Sequence, residues 1–181
     1  FYYNAFLMLS NGTEAKVGTL GSKYEFFHEW KRLAEDDQGS GALETMLRGI
    51  SKKENFLDLF ENFILFDHSG GRTAKILARN HQYLGVNEAM KAYSARKLND
   101  GKLGVFWHTQ GSGKSYSMVF FAQKIRRKFE GSPTFVILTD REELNSQISD
   151  TFENCGLLGK NKSSQFIAAS GENLVQKLKG N

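Results

Sequence analysis

The sequence predicts an α/β fold, and three observations in its second half carry that prediction. A hydrophobic run, LGVFWH at 103–108, leads directly into a glycine loop that ends in Gly113-Lys114-Ser115. From about Ser115 to Phe129, Met118, Phe121, Ala122, Ile125 and Phe129 recur at helical spacing, and Gly131 with Pro133 supplies a stop. A second run, TFVILTD at 134–140, follows. Strand, loop, helix, strand is a βαβ unit, whose crossover is almost always right-handed and lays its helix on one face of a parallel sheet.

The remaining elements follow in chain order. YYNAFLMLS and TEAKVGTL are joined by Asn11-Gly12, a pair that tolerates positive φ and is a strong hairpin signal. The polar, glycine-rich stretch from Glu35 to Gly41 reads as a loop or domain connection. Ser51 and Glu54 have the spacing of a capping box, which predicts a helix over about 52–62 with Phe56, Phe60, Phe63 and Ile64 on its buried face. ILFD then reads as a short strand closed by Ser69-Gly70-Gly71. A helix over about 81–98 places Val86, Met90 and Tyr93 on one side, and a last one over about 142–153 presents Leu144, Ile148 and Phe152.

Composition limits the function classes. With 181 residues, 40% of them hydrophobic, the chain can bury an ordinary core. Cys155 is the sole cysteine, so no internal disulfide forms and a reducing cytoplasm is expected, with Cys155 itself a small, partly buried side chain. No apolar run approaches the ~20 residues of a membrane span, so no membrane association is expected. The net charge of +4 suits phosphate-rich partners. Its densest cluster, Lys124, Arg126, Arg127 and Lys128, reads as a solvated helix face rather than a DNA groove. The four histidines, His28, His68, His81 and His108, show no metal-ligand spacing. A start at Phe1, within a strand-like run, suggests a piece of something longer.

The loop His-Thr-Gln-Gly-Ser-Gly-Lys-Ser at 108–115 carries the chemistry. It matches the phosphate-loop pattern G-x-x-x-x-G-K-[ST] at Gly113, Lys114 and Ser115, with His108 at the first glycine position. Glycines 111 and 113 let several backbone N–H groups converge on phosphate oxygens, and the following helix adds its positive end. Thr109, Gln110 and Ser112 complete the cradle, Lys114 would neutralise the β and γ phosphates, and the Ser115 hydroxyl would enter the Mg²⁺ shell. A tight strand-to-helix turn would explain the glycines but not the lysine. The predicted ligands are therefore ATP and Mg²⁺.

The stretches GVFWHTQGSGKSYSMVFFAQKI and PTFVILTDREELNSQI resemble helicase motifs I and Ia of the restriction (R) subunit of type I restriction-modification enzymes, in which WHTQGSGKS is close to a signature. The His108 that departs from the general pattern agrees with this one. YNAFLMLSNGTEAKVGTL resembles the end of that family's nuclease domain, and FLDLFENFILFD with ARNHQYLGVNEAM resembles the lead into its first motor lobe. The resemblance implies the C-terminal part of a nuclease domain and a connector over 1–48, then the N-terminal part of a RecA-like lobe, a parallel phosphate-loop sheet, over 49–181.

The same resemblance implies residue roles. Gln82 matches the adenine-reading glutamine of superfamily 2 helicases, since an amide can pair with the N6 and N7 edge of adenine. Arg79 is placed beside the base. Thr139, Asp140 and Arg141 match motif Ia, which contacts a DNA backbone; Thr139 or Asp140 also has the position of a helix cap. Lys23 is a candidate contact to a neighbouring domain or the nucleotide, against its reading as a surface lysine. The implied activity is ATP-driven translocation of double-stranded DNA coupled to cleavage, in complex with methylation and specificity subunits. The nuclease carboxylates, the acidic motif II and the second lobe are expected outside 1–181, so this stretch alone should neither cut DNA nor hydrolyse ATP efficiently. Alternatives are a superfamily 2 helicase or remodeller without a nuclease, a phosphate-loop kinase, and a non-catalytic module that keeps the loop as an anion-holding turn.

Overall fold

The computed structural model describes residues 3–34, 36–37, 41–159 and 163–179. The predicted hairpin forms: β1 (Leu7–Ser10) runs antiparallel to β2 (Ala15–Gly18), with Leu7 opposite Gly18 and Ser10 opposite Ala15. The turn is built by both members of the Asn-Gly pair. Gly12 takes φ 97°, and the Asn11 side chain accepts the N–H groups of Thr13 at 3.1 Å and Glu14 at 2.7 Å. On its other edge, β2 exchanges both backbone hydrogen bonds between Val17 and His28, at 2.9 and 3.0 Å.

Of the expected connector at Glu35–Gly41, residues Glu35 and 38–40 lie outside the described residues, and Gly41 is the N-cap of a helix that the sequence reading did not anticipate. This is α1 (Ala42–Ile50), which buries Thr45, Met46, Gly49 and Ile50. Gly49 is required by a neighbour, because a Cβ there would stand 2.2 Å from Nε1 of the buried Trp30. The expected capping box is not formed. Ser51 closes α1, its N–H donating to Leu47 O at 2.8 Å, so it cannot also start the next helix; α2 (Lys53–Asn62) begins after Lys52 without a side-chain cap. The expected inner face of α2 holds in part. Phe63 is buried and Ile64 half-buried as expected, but Leu59 and Asn62 face inward where Phe60 is exposed and Phe56 packs at the surface against Phe6.

ILFD is a strand as expected, β3 (Ile64–Asp67), and it pairs antiparallel with β4 (Ala74–Leu77) across the Ser69-Gly70-Gly71 turn. The Thr19 hydroxyl donates to Lys75 O at 2.6 Å and ties the two ribbons together. Then come α3 (Asn80–Ser94), α4 (Lys114–Lys128), α5 (Glu142–Asn154), α6 (Ser163–Phe166) and α7 (Gly171–Lys179). Helices α3, α4 and α5 form where their periodic patterns predict, although α3 ends at Ser94 and a separate turn covers Arg96–Leu98. Val86 and Met90 of α3, Ala122 and Ile125 of α4 and Phe152 of α5 are buried as expected, but Met118 and Leu144 are exposed, and Val119 and Phe120 are buried on α4 instead.

A column of rings forms the centre of the core. Trp30 lies 5.4 Å from Tyr83, Tyr83 4.8 Å from Phe63, and Phe63 5.6 Å from Phe120. It links the segment after β2, α3, the end of α2 and α4. Full burial of each such side chain is worth about 2–3 kcal/mol by area, so these rings fix how α3 and α4 meet.

The α/β class holds as a mixture of helices and short strands, but the expected parallel pairing does not. Among the described residues, 103–108 and 134–140 form no ladder, and both sheets present are antiparallel two-stranded ribbons. The physical reason lies in side-chain exposure. Val105 is 94% exposed and Leu138 84%, so the runs carry the apolar character of interior strands without strands or helices against those faces.

Candidate functional site: a glycine loop docked on a helix

The loop between 108 and α4 has the backbone that its glycines predict. Gly111 and Gly113 adopt φ 75° and 83°, and Gly113, in the left-handed region, is the N-cap of α4. No side chain caps this helix start, so the first-turn N–H groups that lack intrahelical acceptors are available to an external anion. Lys114, the first residue of α4, is exposed and reaches back over the loop, its Nζ donating to the carbonyls of His108 at 2.8 Å and Thr109 at 3.1 Å. Thr109, Gln110 and Gly111 are exposed, while Ser112, Gly113 and Ser115 are half-buried. The Ser112 Oγ is buried with no hydrogen-bond partner among the described residues.

Helix α3 holds the loop from below. His81 Nε2 contacts Ser112 O at 3.0 Å; a carbonyl only accepts, so this nitrogen carries the proton. The Gln82 Nε2 donates to Gly113 O at 2.9 Å, and its Oε1 accepts the Arg79 N–H at 2.9 Å, closing the first turn of α3. The rings of His81 and His108 meet edge to face at 4.8 Å, and Phe106 lies 4.4 Å from His108. Phe106 is seated over Gly85, where a Cβ would come within 2.6 Å of the ring. Four successive points of the approach and loop, at 106, 108, 112 and 113, thus rest on one face of α3.

Helix α4 is anchored on its other sides too. The Tyr116 hydroxyl donates to the Asp67 carboxylate at the end of β3. Burial opposes ionisation of Asp67, but the Tyr116 hydroxyl and the Ser69 N–H hold its carboxyl below the ordinary range; burial and Asp67 together push the Tyr116 hydroxyl up. Cys155 is half-buried nearby. Burial, with Asp67 adding, pushes its thiol up to about 12, which makes it an unreactive packing group as its sequence context suggested.

The basic cluster of α4 is a solvated face only in part. Arg126, Arg127 and Lys128 are exposed, the last two binding the backbone carbonyl and carboxylate of Glu61, but Lys124 is buried against Asp58 because its ammonium finds a carboxylate on α2. Thr139 is half-buried and Asp140 and Arg141 are exposed at the entry to α5. Arg141 is the N-cap, without a side-chain cap bond, so neither Thr139 nor Asp140 caps α5. Among the described residues these three share no hydrogen bond with the loop. Lys23 is exposed and 3.6 Å from Glu25.

The sequence thus singled out Gln82 and the loop, which the structure brings together, but missed His81, Gly85 and Phe106. Gly85, a glycine inside a helical pattern, was the available signal, since such a residue often marks a close approach.

Residues 81–181 match the SWI2/SNF2 ATPase family, so the chain belongs to that family. The matched region starts at His81 and takes in Gln82, the glycine loop and α4. More particular relatives extend the likeness over a larger share of the chain. Over 85% of its length the chain is 39% identical to the type I restriction enzyme HindI endonuclease subunit of Haemophilus influenzae, covering 16% of that protein. It is 30% identical, again over 85% of its length, to the putative type I restriction enzyme MjaIXP endonuclease subunit of Methanocaldococcus jannaschii, covering 17% of it. The chain therefore spans about a sixth of the length of these relatives. Among the described residues, no helix is long and apolar enough to cross a membrane.

Proposed function

We propose that this chain is the ATP-binding part of the motor subunit of a type I restriction enzyme, coupling ATP hydrolysis to movement of duplex DNA and its cleavage. The observation that supports the reading is the docking of Ser112 and Gly113 on His81 and Gln82: the amide proposed to read the base lies beside the loop proposed to hold phosphate.

The residues fit a nucleoside triphosphate with Mg²⁺. Gly111 and Gly113 turn the loop, the N-terminus of α4 offers N–H groups, and the exposed Lys114 ammonium exchanges two loop carbonyls for phosphate oxygens, which are charged and stronger acceptors. Thr109, Gln110 and Ser112 would complete the cradle, and the Ser115 hydroxyl would hold Mg²⁺. When bound, the metal neutralises phosphate charge and orients the triphosphate. Gln82 spends one N–H and one lone pair within the protein and keeps one of each. That remaining pair suits adenine, whose edge offers one donor and one acceptor, and not guanine, whose O6 and N7 both accept.

Thr139, Asp140 and Arg141 are assigned to the DNA backbone, Arg141 being an exposed guanidinium at a helix start. The methylation and specificity subunits are the proposed protein partners. Residues 1–48 are read as the end of a nuclease domain and its connector, and 49–181 as the front of a RecA-like lobe, with Trp30 packing between them on Tyr83. A remodeller lacking a nuclease is favoured only by the breadth of the SWI2/SNF2 match; the restriction-enzyme relatives narrow it.

Triplex displacement on duplex DNA by the intact subunit, assembled with methylation and specificity partners, tests the reading. ATP-dependent displacement should vanish in Lys114→Ala, while the nuclease site remains chemically intact. Undiminished displacement in that variant would refute it.

A further inference from the structure

Ten residues after Lys114, a second lysine of the phosphate-loop helix is buried. Lys124 is 7% exposed, and its Nζ lies 2.6 and 2.7 Å from the two carboxylate oxygens of Asp58 on α2 and 2.6 Å from Asn87 Oδ1 on α3. Asn87 returns a longer bond to Asp58 at 3.4 Å, Asn62 donates to Asp58 at 2.8 Å, and the Phe63 ring faces the ammonium at 4.7 Å. Three helices meet in this knot. Burial pulls the ammonium below its ordinary range, and the Asp58 contact opposes that shift.

A buried ion pair is a poor source of net stability, because its desolvation commonly offsets its attraction and an apolar pair of similar volume serves as well. What such a pair does supply is registry: the charges are satisfied in one arrangement of the helices only. Asn87 lies five residues beyond Gln82, about 7.5 Å along α3. Helices α3 and α4 are therefore clamped at two points, Gln82 to Gly113 and Asn87 to Lys124, and Asp58 pins the second point to α2. Fixing the far point sets the rotation of α3 and, with it, the aim of Gln82.

We propose that Lys124, Asp58 and Asn87 form a positioning triad that holds Gln82 in the orientation that selects adenine over guanine at the phosphate loop. The inference rests on the adenine-reading role proposed for Gln82. The triad touches no nucleotide itself and acts through α3.

The test is equilibrium binding of ATP and GTP, each with Mg²⁺, to the full-length subunit, by competition with a fluorescent ATP analogue. Three variants are compared with the parent: Gln82→Ala, the apolar replacement Asp58→Leu with Lys124→Met, and Asn87→Leu, which releases α3 while keeping the Lys124–Asp58 pair. The apolar replacement should fold and lower the ATP-over-GTP preference about fivefold, the scale of one lost hydrogen bond. Adding Gln82→Ala to it should cost nothing more. A merely structural pair would leave the preference unchanged. If Gln82→Ala lowers the preference and the triad variants do not, the positioning role is overturned and the adenine reading stands. If Gln82→Ala itself leaves the preference intact, the underlying reading falls. Should the apolar replacement not fold, Asn87→Leu decides: an unchanged preference there overturns the proposal.

Discussion

Gly113→Ala separates the loop's backbone requirement from its docking on α3. An alanine at φ 83° carries the left-handed penalty of about 1–2 kcal/mol. The new Cβ would also stand 2.9 Å from Gln82 Nε2, closer than van der Waals contact allows. Gln82 is 4% exposed, so moving it away forfeits its bond to Gly113 O and strands a buried amide, a further cost of about 1–3 kcal/mol. Gly131 provides the control. It has φ 98° and nothing within 4 Å of its would-be Cβ, so Gly131→Ala carries the backbone penalty alone. The two variants should differ by about 2 kcal/mol, which for a domain of this size is about 4–8 °C in the midpoint of thermal unfolding. Calorimetry of the subunit reads that difference. Equal shifts would mean that Gln82 yields freely, and the grip of α3 on the loop would be refuted.

Two further perturbations address the core. Gly49→Ala improves helix propensity by about 1 kcal/mol, yet its Cβ would be 2.2 Å from Nε1 of the buried Trp30, and overpacking at such a site costs about 1–3 kcal/mol or more. Destabilisation in chemical denaturation is expected, and a more stable variant would show that Trp30 has room to move. For His28, burial lowers the imidazole from its ordinary value near 6.5 to about 4, with Arg79 contributing repulsion. Between these values the unfolded chain holds the extra proton, so the stabilisation is present above pH 6.5 and is lost as pH falls towards 4, by on the order of 3 kcal/mol. Denaturation midpoints from pH 7 to 4 should fall less in His28→Gln than in the parent, and parallel curves would contradict the burial argument.

Where local structure was legible in the sequence, one short segment contained the whole requirement. The loop at 108–115 needs glycines, a lysine and a serine in fixed order before an amphipathic helix, and the hairpin needs Asn11-Gly12 between alternating runs. Ser51 shows how a local rule fails: it fits a capping box with Glu54, but α1 had already taken it as a terminus. No pattern marked that helix: Gly41 read as the end of a loop, when it is the N-cap, and Gly49, within the helix, makes room for Trp30. Phe56, Phe60 and Phe63 all followed helical spacing, but packing buries Phe63 with Leu59 and leaves the other two exposed. The Lys124 knot joins positions 29 to 66 residues apart, and nothing periodic marks such a pairing. Gln82 itself became visible only through family resemblance, as a glutamine at a helix start has no chemical signature alone.

The uncovered runs at 103–108 and 134–139 have a consequence for how the chain is made. Val105, Phe106 and Trp107 and then Phe135, Val136, Ile137 and Leu138 are uncharged, rich in β-formers and free of proline, the composition of segments that associate edge to edge. Both runs are therefore open to association with other chains from the moment they emerge. Helix α3, made before either run, offers Phe106 a seat over Gly85, next to His81. The helix that holds the glycine loop thus also covers part of the first apolar run while the chain is still growing.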